Sequence, residues 1–236
     1  PILKKKVDTE MKRVFGNILS LSFLRFVNYI LPLLVFPYLV RVLGVEKFGL
    51  VSFGAAFIQY FVILTRYGFN LSAVRDISEN RENHIERDQI FFSVVFLKLC
   101  LSLASLALLC LIVFGFSFFQ EYRAFYLLWF GMVIGEVFFP VWFFQGIEKM
   151  KYITFIQVFS QLIFIGCIFI MVRQPKDFIL VPVFRSLGIL IAGLIGFIFA
   201  LRSFRIRFRW PRSGFLKQQL IRGWYIFLSD VFVNLY

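Results

Sequence analysis

Charge is scarce in this sequence. Of 236 residues only 17% are charged, where an ordinary soluble domain has about 25%. So few charges cannot cover the surface of a water-soluble globule, and they cannot keep a disordered chain solvated. Cysteine is rarer still. Cys100, Cys110 and Cys167 all lie inside apolar stretches, which leaves no disulfide framework and no zinc-ligand spacing. The single histidine, His84, has no partner at metal-ligand spacing. There is no phosphate-binding glycine loop with its lysine, so the chain carries no ATPase of its own. Nor is there a Ser/His/Asp set or a pair of water-exposed carboxylates. The sequence therefore predicts a protein that is not an enzyme and has no metal and no cofactor.

Apolar residues fill the space that charge leaves. They make up 60% of the chain, with 35 phenylalanines and a mean hydropathy of +0.83. That is the composition of a membrane protein. A spanning helix needs about 20 mainly apolar residues. Windows of that size predict an all-α polytopic fold with six complete transmembrane helices, near 14–40, 48–72, 90–115, 124–145, 153–172 and 179–201. A seventh is expected to start at Trp224 and is cut at Tyr236, which reads as a fragment, as does a first residue that is Pro1 and not Met. The predicted organisation is a six-helix unit over 1–201, a basic linker over 202–223 and the start of a second unit over 224–236.

A net charge of +13 would suggest nucleic acid in a soluble chain. Here the basic residues sit between apolar runs, and their distribution sets an orientation. Alternate segments hold five (1–13), three (73–89), two (146–152) and seven (202–223) lysines and arginines. The other connections, 41–47, 116–123 and 173–178, hold only five between them. This asymmetry predicts a cytoplasmic N-terminus and needs no nucleic acid. The basic start is followed by roughly 30 apolar residues, too many for the short apolar region of a cleaved signal.

Six charged residues fall within the predicted helices: Arg25, Arg66, Lys98, Glu136, Arg185 and Asp230. Each would cost about 2.5–3.5 kcal/mol facing lipid at mid-depth, so an interior cavity is expected, with snorkelling to the interface open to Arg66. Polar stripes at helical spacing support it: Ser52, Gln59, Arg66 and Asn70; Asn17, Ser20, Arg25 and Asn28; Lys98, Ser102 and Ser105; Thr154, Gln157 and Gln161; and Arg185 with Gly188, Ala192 and Gly196. The neutral members serve equally well as interhelical glue. The cations Arg25, Lys98 and Arg185, with Arg66, would attract an anionic passenger. Glu136 has two readings, pairing one of these cations or binding a driving ion, with Asp230 as a second such carboxylate. Pro32, Pro37, Pro140 and Pro182 mark helices that can bend. The GxxxG spacing of Gly131 and Gly135 is a close-packing pattern. The alternation Phe204-Arg205-Ile206-Arg207-Phe208-Arg209-Trp210 suits anchoring to an anionic leaflet or holding a lipid-linked phosphate.

Three longer motifs carry a resemblance. Asn28-Tyr29-Ile30-Leu31-Pro32 continues through Phe36-Pro37-Tyr38-Leu39 to Arg41-Val42-Leu43-Gly44-Val45-Glu46-Lys47-Phe48-Gly49. Tyr67-Gly68-Phe69-Asn70-Leu71-Ser72 leads into Ala73-Val74-Arg75-Asp76-Ile77-Ser78. Trp142-Phe143-Phe144-Gln145-Gly146-Ile147-Glu148-Lys149-Met150-Lys151-Tyr152 is the third. Together they resemble O-antigen and related polysaccharide-repeat flippases of the multidrug/oligosaccharidyl-lipid/polysaccharide exporter superfamily. The resemblance implies two six-helix lobes around a central cavity in the bacterial plasma membrane, of which this chain is the N-terminal one. It implies a passenger that is an undecaprenyl-diphosphate-linked oligosaccharide, with a cavity drawn from Arg25, Asn28, Gln59, Arg66, Asn70, Lys98 and Arg185. Membrane lipids, a polysaccharide polymerase and chain-length proteins are the implied partners. Such proteins often carry Asp where this chain has Arg66 and Thr where it has Val74. The alternatives are a drug or cation exporter of the same superfamily, a polytopic glycan-processing enzyme, and a non-functional truncated remnant.

Overall fold

A computed structural model describes the backbone of residues 2–235, and side chains except those of 1–14, 17, 20, 32, 230, 231 and 234–236. Among the described residues the chain is helical throughout, with no strand. The α-helices are α1 (Ile2–Arg66), α2 (Phe69–Glu79), α3 (His84–Gly115), α4 (Arg123–Leu128), α5 (Gly131–Phe138), α6 (Val141–Gly146), α7 (Met150–Met171), α8 (Leu180–Ser203) and α9 (Ser213–Leu235). Short 3₁₀ turns at Ser117–Tyr122 and Pro175–Ile179 lead into α4 and α8. Five segments among the described residues are long and apolar enough to cross a membrane: Leu21–Glu79, His84–Gly115, Ser117–Gly146, Met150–Met171 and Pro175–Ser203. The chain is an all-α polytopic membrane protein.

The first of those segments has 59 residues and is not one straight rod. At Gly44 the backbone leaves the helical region, with φ 75° and ψ 164°, a conformation open to glycine and strained for other residues. Contacts show what this does. Gly16 lies beside Lys151 and Tyr38 donates its hydroxyl to the Val172 carbonyl at 2.8 Å, so the part before Gly44 runs parallel to α7. After it, Lys47 meets Tyr122 and Arg66 meets Glu136, so this part runs parallel to α4–α5, which are themselves antiparallel to α7. The chain reverses at Gly44.

The other breaks have local causes. Asn83 caps α3, its side chain accepting the N–H groups of Ile85 and Glu86, the usual role of asparagine at a helix start. Phe139 is extended (φ −86°, ψ 101°) because it precedes Pro140, which disfavours helix in its neighbour and offers no N–H. Pro182 sits in the first turn of α8, where a missing donor costs nothing, and α1 passes Pro37 without a break. The GxxxG glycines lie at a close helix contact. A Cβ on Gly135 would lie 2.7 Å from backbone atoms of Ile189 and Leu190, and one on Gly193 would collide with the Gly135 carbonyl. Backbone meets backbone where α5 crosses α8, as small residues permit.

Apolar side chains gather in two clusters, one towards each end of the long helices. One holds Leu43, Ile58, Val62, Leu109, Phe125, Val133 and Val172. The other holds Phe69, Ile77, Phe91, Leu97, Phe139, Trp142 and Phe143. Along each of three segments the clusters stop and restart around a charge: Val62 and Phe69 flank Arg66, Val133 and Phe139 flank Glu136, and Leu109 and Leu97 lie on either side of Ser105, Ser102 and Lys98.

Candidate functional site

That interruption is an ionic layer between α1, α3 and α5. Arg66 donates from Nε to Glu136 Oε1 at 2.9 Å and from its terminal nitrogen to Oε2 at 3.1 Å, the two-pronged fit of a guanidinium to a carboxylate. Lys98 donates to the Glu136 backbone carbonyl at 2.6 Å, with its Nζ 3.9 Å from Oε1. Burial deepens inward, the side chains of Arg66, Glu136 and Lys98 being 36%, 11% and 1% exposed. One carboxylate thus serves two cations. Of the two readings of Glu136, pairing is the geometry present. Thr65 and Ser105 hydroxyls lie 3.4 Å apart in the same layer, so the α3 stripe of Lys98, Ser102 and Ser105, all buried, faces the packed interior.

The remaining site residues fall elsewhere. Arg185, half-buried on α8, sets its guanidinium 5.2 Å from the centre of the Phe164 ring. Among the described residues it has no carboxylate partner. One turn before Phe164 on α7, Gln161 donates to the side-chain oxygen of Asn28, and Ser160 donates to the Gly188 carbonyl at 2.7 Å. Asn28 is exposed, and Arg25, one turn earlier on the same face of α1, is exposed as well. Gln59 and Asn70 are half-buried and Ser52 is exposed, along the edge of the face that buries Val51, Ile58 and Thr65. The structure therefore brings together Arg66, Lys98 and Glu136 in a packed layer, whereas Asn28 and Arg185 each meet α7 separately, at Gln161 and at Phe164, and Arg25 lies exposed on α1. The side chain of Asp230 lies outside the described residues. Gly188, Ala192 and Gly196, which share the Arg185 stripe, serve packing: Gly188 abuts Ser160, and a Cβ on Gly196 would meet the Phe139 ring at 2.7 Å.

A family profile described as "Polysaccharide biosynthesis protein" matches residues 14–236. This chain belongs to that family. A protein of Escherichia coli (strain K12) named "Putative O-antigen transporter" is 30% identical over 230 residues, covering 98% of this chain and 55% of that protein. A second of the same name, from Shigella dysenteriae, is 30% identical over 181 residues, 76% of this chain and 45% of its own length. The chain spans about half the length of these relatives. No solved structure matches it. Family and apolar helices together make this a multi-pass protein of the bacterial inner membrane.

Within this polysaccharide-family member the glycines and aromatic residues of the three sequence motifs have structural places. Gly44 makes the reversal, and Gly68 takes φ 77° before α2, where a Cβ would strike Ile226 at 2.7 Å. Trp142, Phe143 and Phe144 are wholly buried, and Gly146 lets α6 rest on Ile77. Sequence reasoning did not find Phe164 as the surface beneath Arg185, because nothing in an all-apolar helix distinguishes one phenylalanine from the next. It also did not find buried Asp76, which accepts from Gln219 and lies 3.5 Å from Arg222. That contact ties α9 to α2.

Proposed function

We propose that the chain is the N-terminal six-helix lobe of a flippase for lipid-diphosphate-linked oligosaccharide. In this reading the reversal at Gly44 divides Leu21–Glu79 into two spans, giving six, with the N-terminus cytoplasmic. Residues 1–201 form the lobe, 202–223 the linker and 224–236 the start of the second lobe. Arg25, Asn28 and Arg185 supply the cavity wall. Arg25 is exposed in the middle of an apolar helix, and a cation so placed cannot face lipid cheaply, so its face of α1 turns towards water and the opposing lobe.

One observation carries the proposal: Arg185 is a half-buried cation with an aromatic neighbour and no carboxylate among the described residues. Such a group favours an anionic passenger, phosphate or acidic sugar. A cationic passenger would need a free carboxylate, and Glu136 is taken by Arg66 and Lys98. The whole natural protein, expressed in a host lacking its own copy, tests this through surface glycan. Arg185→Ala and Arg25→Ala should each reduce glycan by about tenfold, with the protein still in the membrane and Arg185→Lys retaining most activity. Unchanged glycan in both alanine variants would overturn the cationic wall.

A further inference from the structure

The segment after α8 does not hang free. Arg87, buried near the start of α3, donates to the Phe204 carbonyl at 2.9 Å. Asp88 accepts the backbone N–H of Arg207 at 3.0 Å, and Gln89 reaches the Trp210 carbonyl at 3.4 Å. Arg205 turns the chain with φ 52°, and Ile206 is buried beneath it. The result is a groove of about 690 Å³ lined by His84, Arg87, Asp88, Arg205, Arg207 and Arg209, among others.

Its charge is unbalanced. Asp88 is the one carboxylate among the lining residues. Its oxygens are engaged by the Arg87 guanidinium at 3.3 Å and by the Arg207 backbone. The guanidinium groups of Arg205, Arg207 and Arg209 have no hydrogen bond or ion pair among the described residues. Beside them Phe208 and Trp210 are 63% and 79% exposed, and Phe208 packs edge-on against Phe92 of α3. The groove lies where α3 begins and α8 ends, and aromatic rings at the end of a membrane span settle between headgroups and acyl chains.

We infer that this groove binds the two-phosphate headgroup of a membrane lipid on the face that carries the linker. Three free guanidinium forks match phosphate oxygens, and the flanking rings meet the start of an acyl or prenyl chain. The inference rests on the reading above in one respect, that a lipid diphosphate is the passenger. The groove would then receive it before the cavity does.

The full chain, held in phosphatidylcholine nanodiscs, tests it by equilibrium binding of a sugar-free polyprenyl diphosphate, phosphatidylglycerol and inorganic pyrophosphate. The polyprenyl diphosphate should bind tightest. The triple variant Arg205→Gln/Arg207→Gln/Arg209→Gln should weaken it about a hundredfold, near fivefold per arginine, and less at high salt. Arg202→Gln with Lys217→Gln, two exposed basic residues of the same segment, should leave it unchanged. An unchanged thermal transition in the triple variant keeps the loss assignable to the groove. Equal weakening by the two sets of variants would overturn the site in favour of diffuse attraction. Phosphatidylglycerol binding as tightly would overturn the two-phosphate assignment and make the occupant a bulk phospholipid, and pyrophosphate binding as tightly would remove the lipid. Binding reads the groove and surface glycan reads transport, so either can fail while the other stands.

Discussion

Two sets of cations occupy the membrane-embedded part of this protein, and the structure treats them differently. Arg66 and Lys98 converge on Glu136 between two apolar clusters, where every charge has a partner. Arg185 and Arg25, on the α7 side, have none among the described residues. Buried charge is retained at low cost only when paired. The first set therefore holds α1, α3 and α5 in register. The second set has no such partner, and on the function proposed above it meets an anionic passenger instead.

The sharpest break in this contrast is at Glu136. Removing it strands Lys98, whose side chain is 1% exposed, with a backbone carbonyl as its remaining hydrogen-bond partner among the described residues. Glu136→Gln should cost about 3–5 kcal/mol of stability, measured as detergent-resistant unfolding of the purified protein. Adding Lys98→Met should recover most of it, because the stranded charge is gone. A Glu136→Gln variant as stable as the parent would show that the layer is not structural. Next in size is the glycine contact. Gly193→Ala places a methyl against the Gly135 carbonyl, where no side chain can yield, and overpacking of that kind costs about 1–3 kcal/mol. The same assay should show it, with no rescue by salt.

Much of this was legible in the residues and some was not. Hydropathy windows found the five apolar segments seen among the described residues, reading the first of them as two, and the GxxxG spacing marked α5 for close packing without naming its partner, because both depend on patterns along a single helix. Pro140 found its break for the same reason. The division of the cations was not legible, since Lys98 and Arg185 look alike as isolated charges in apolar helices. Only the juxtaposition of α3 with α5, and of α8 with α7, separates a paired lysine from an arginine over a ring. The stripe rule placed Lys98, Ser102 and Ser105 on one face of α3 without saying that this face is the packed one. The linker alternation was visible, but the turn at Arg205 that folds it over Asp88 depends on tertiary contacts.

The smallest expected effects compare the two arginines directly. Arg66 is the exposed edge of its pair, at 36%, so solvent screens much of its attraction. Glu136 also keeps Lys98 when Arg66 is removed. Arg66→Gln should therefore cost about 1 kcal/mol, near the upper end for an exposed pair and well below the loss at Glu136. Arg185→Gln forfeits the Phe164 contact, about 0.5–2 kcal/mol, and at the same time relieves an unpaired half-buried charge, which offsets that loss. Its net change in unfolding should fall below that of Arg66→Gln, although transport should suffer more. Stability and function then run in opposite order at the two positions. Finding them in the same order would mean that Arg185, like Arg66, is part of the scaffold, and the proposed cavity wall would lose its main support.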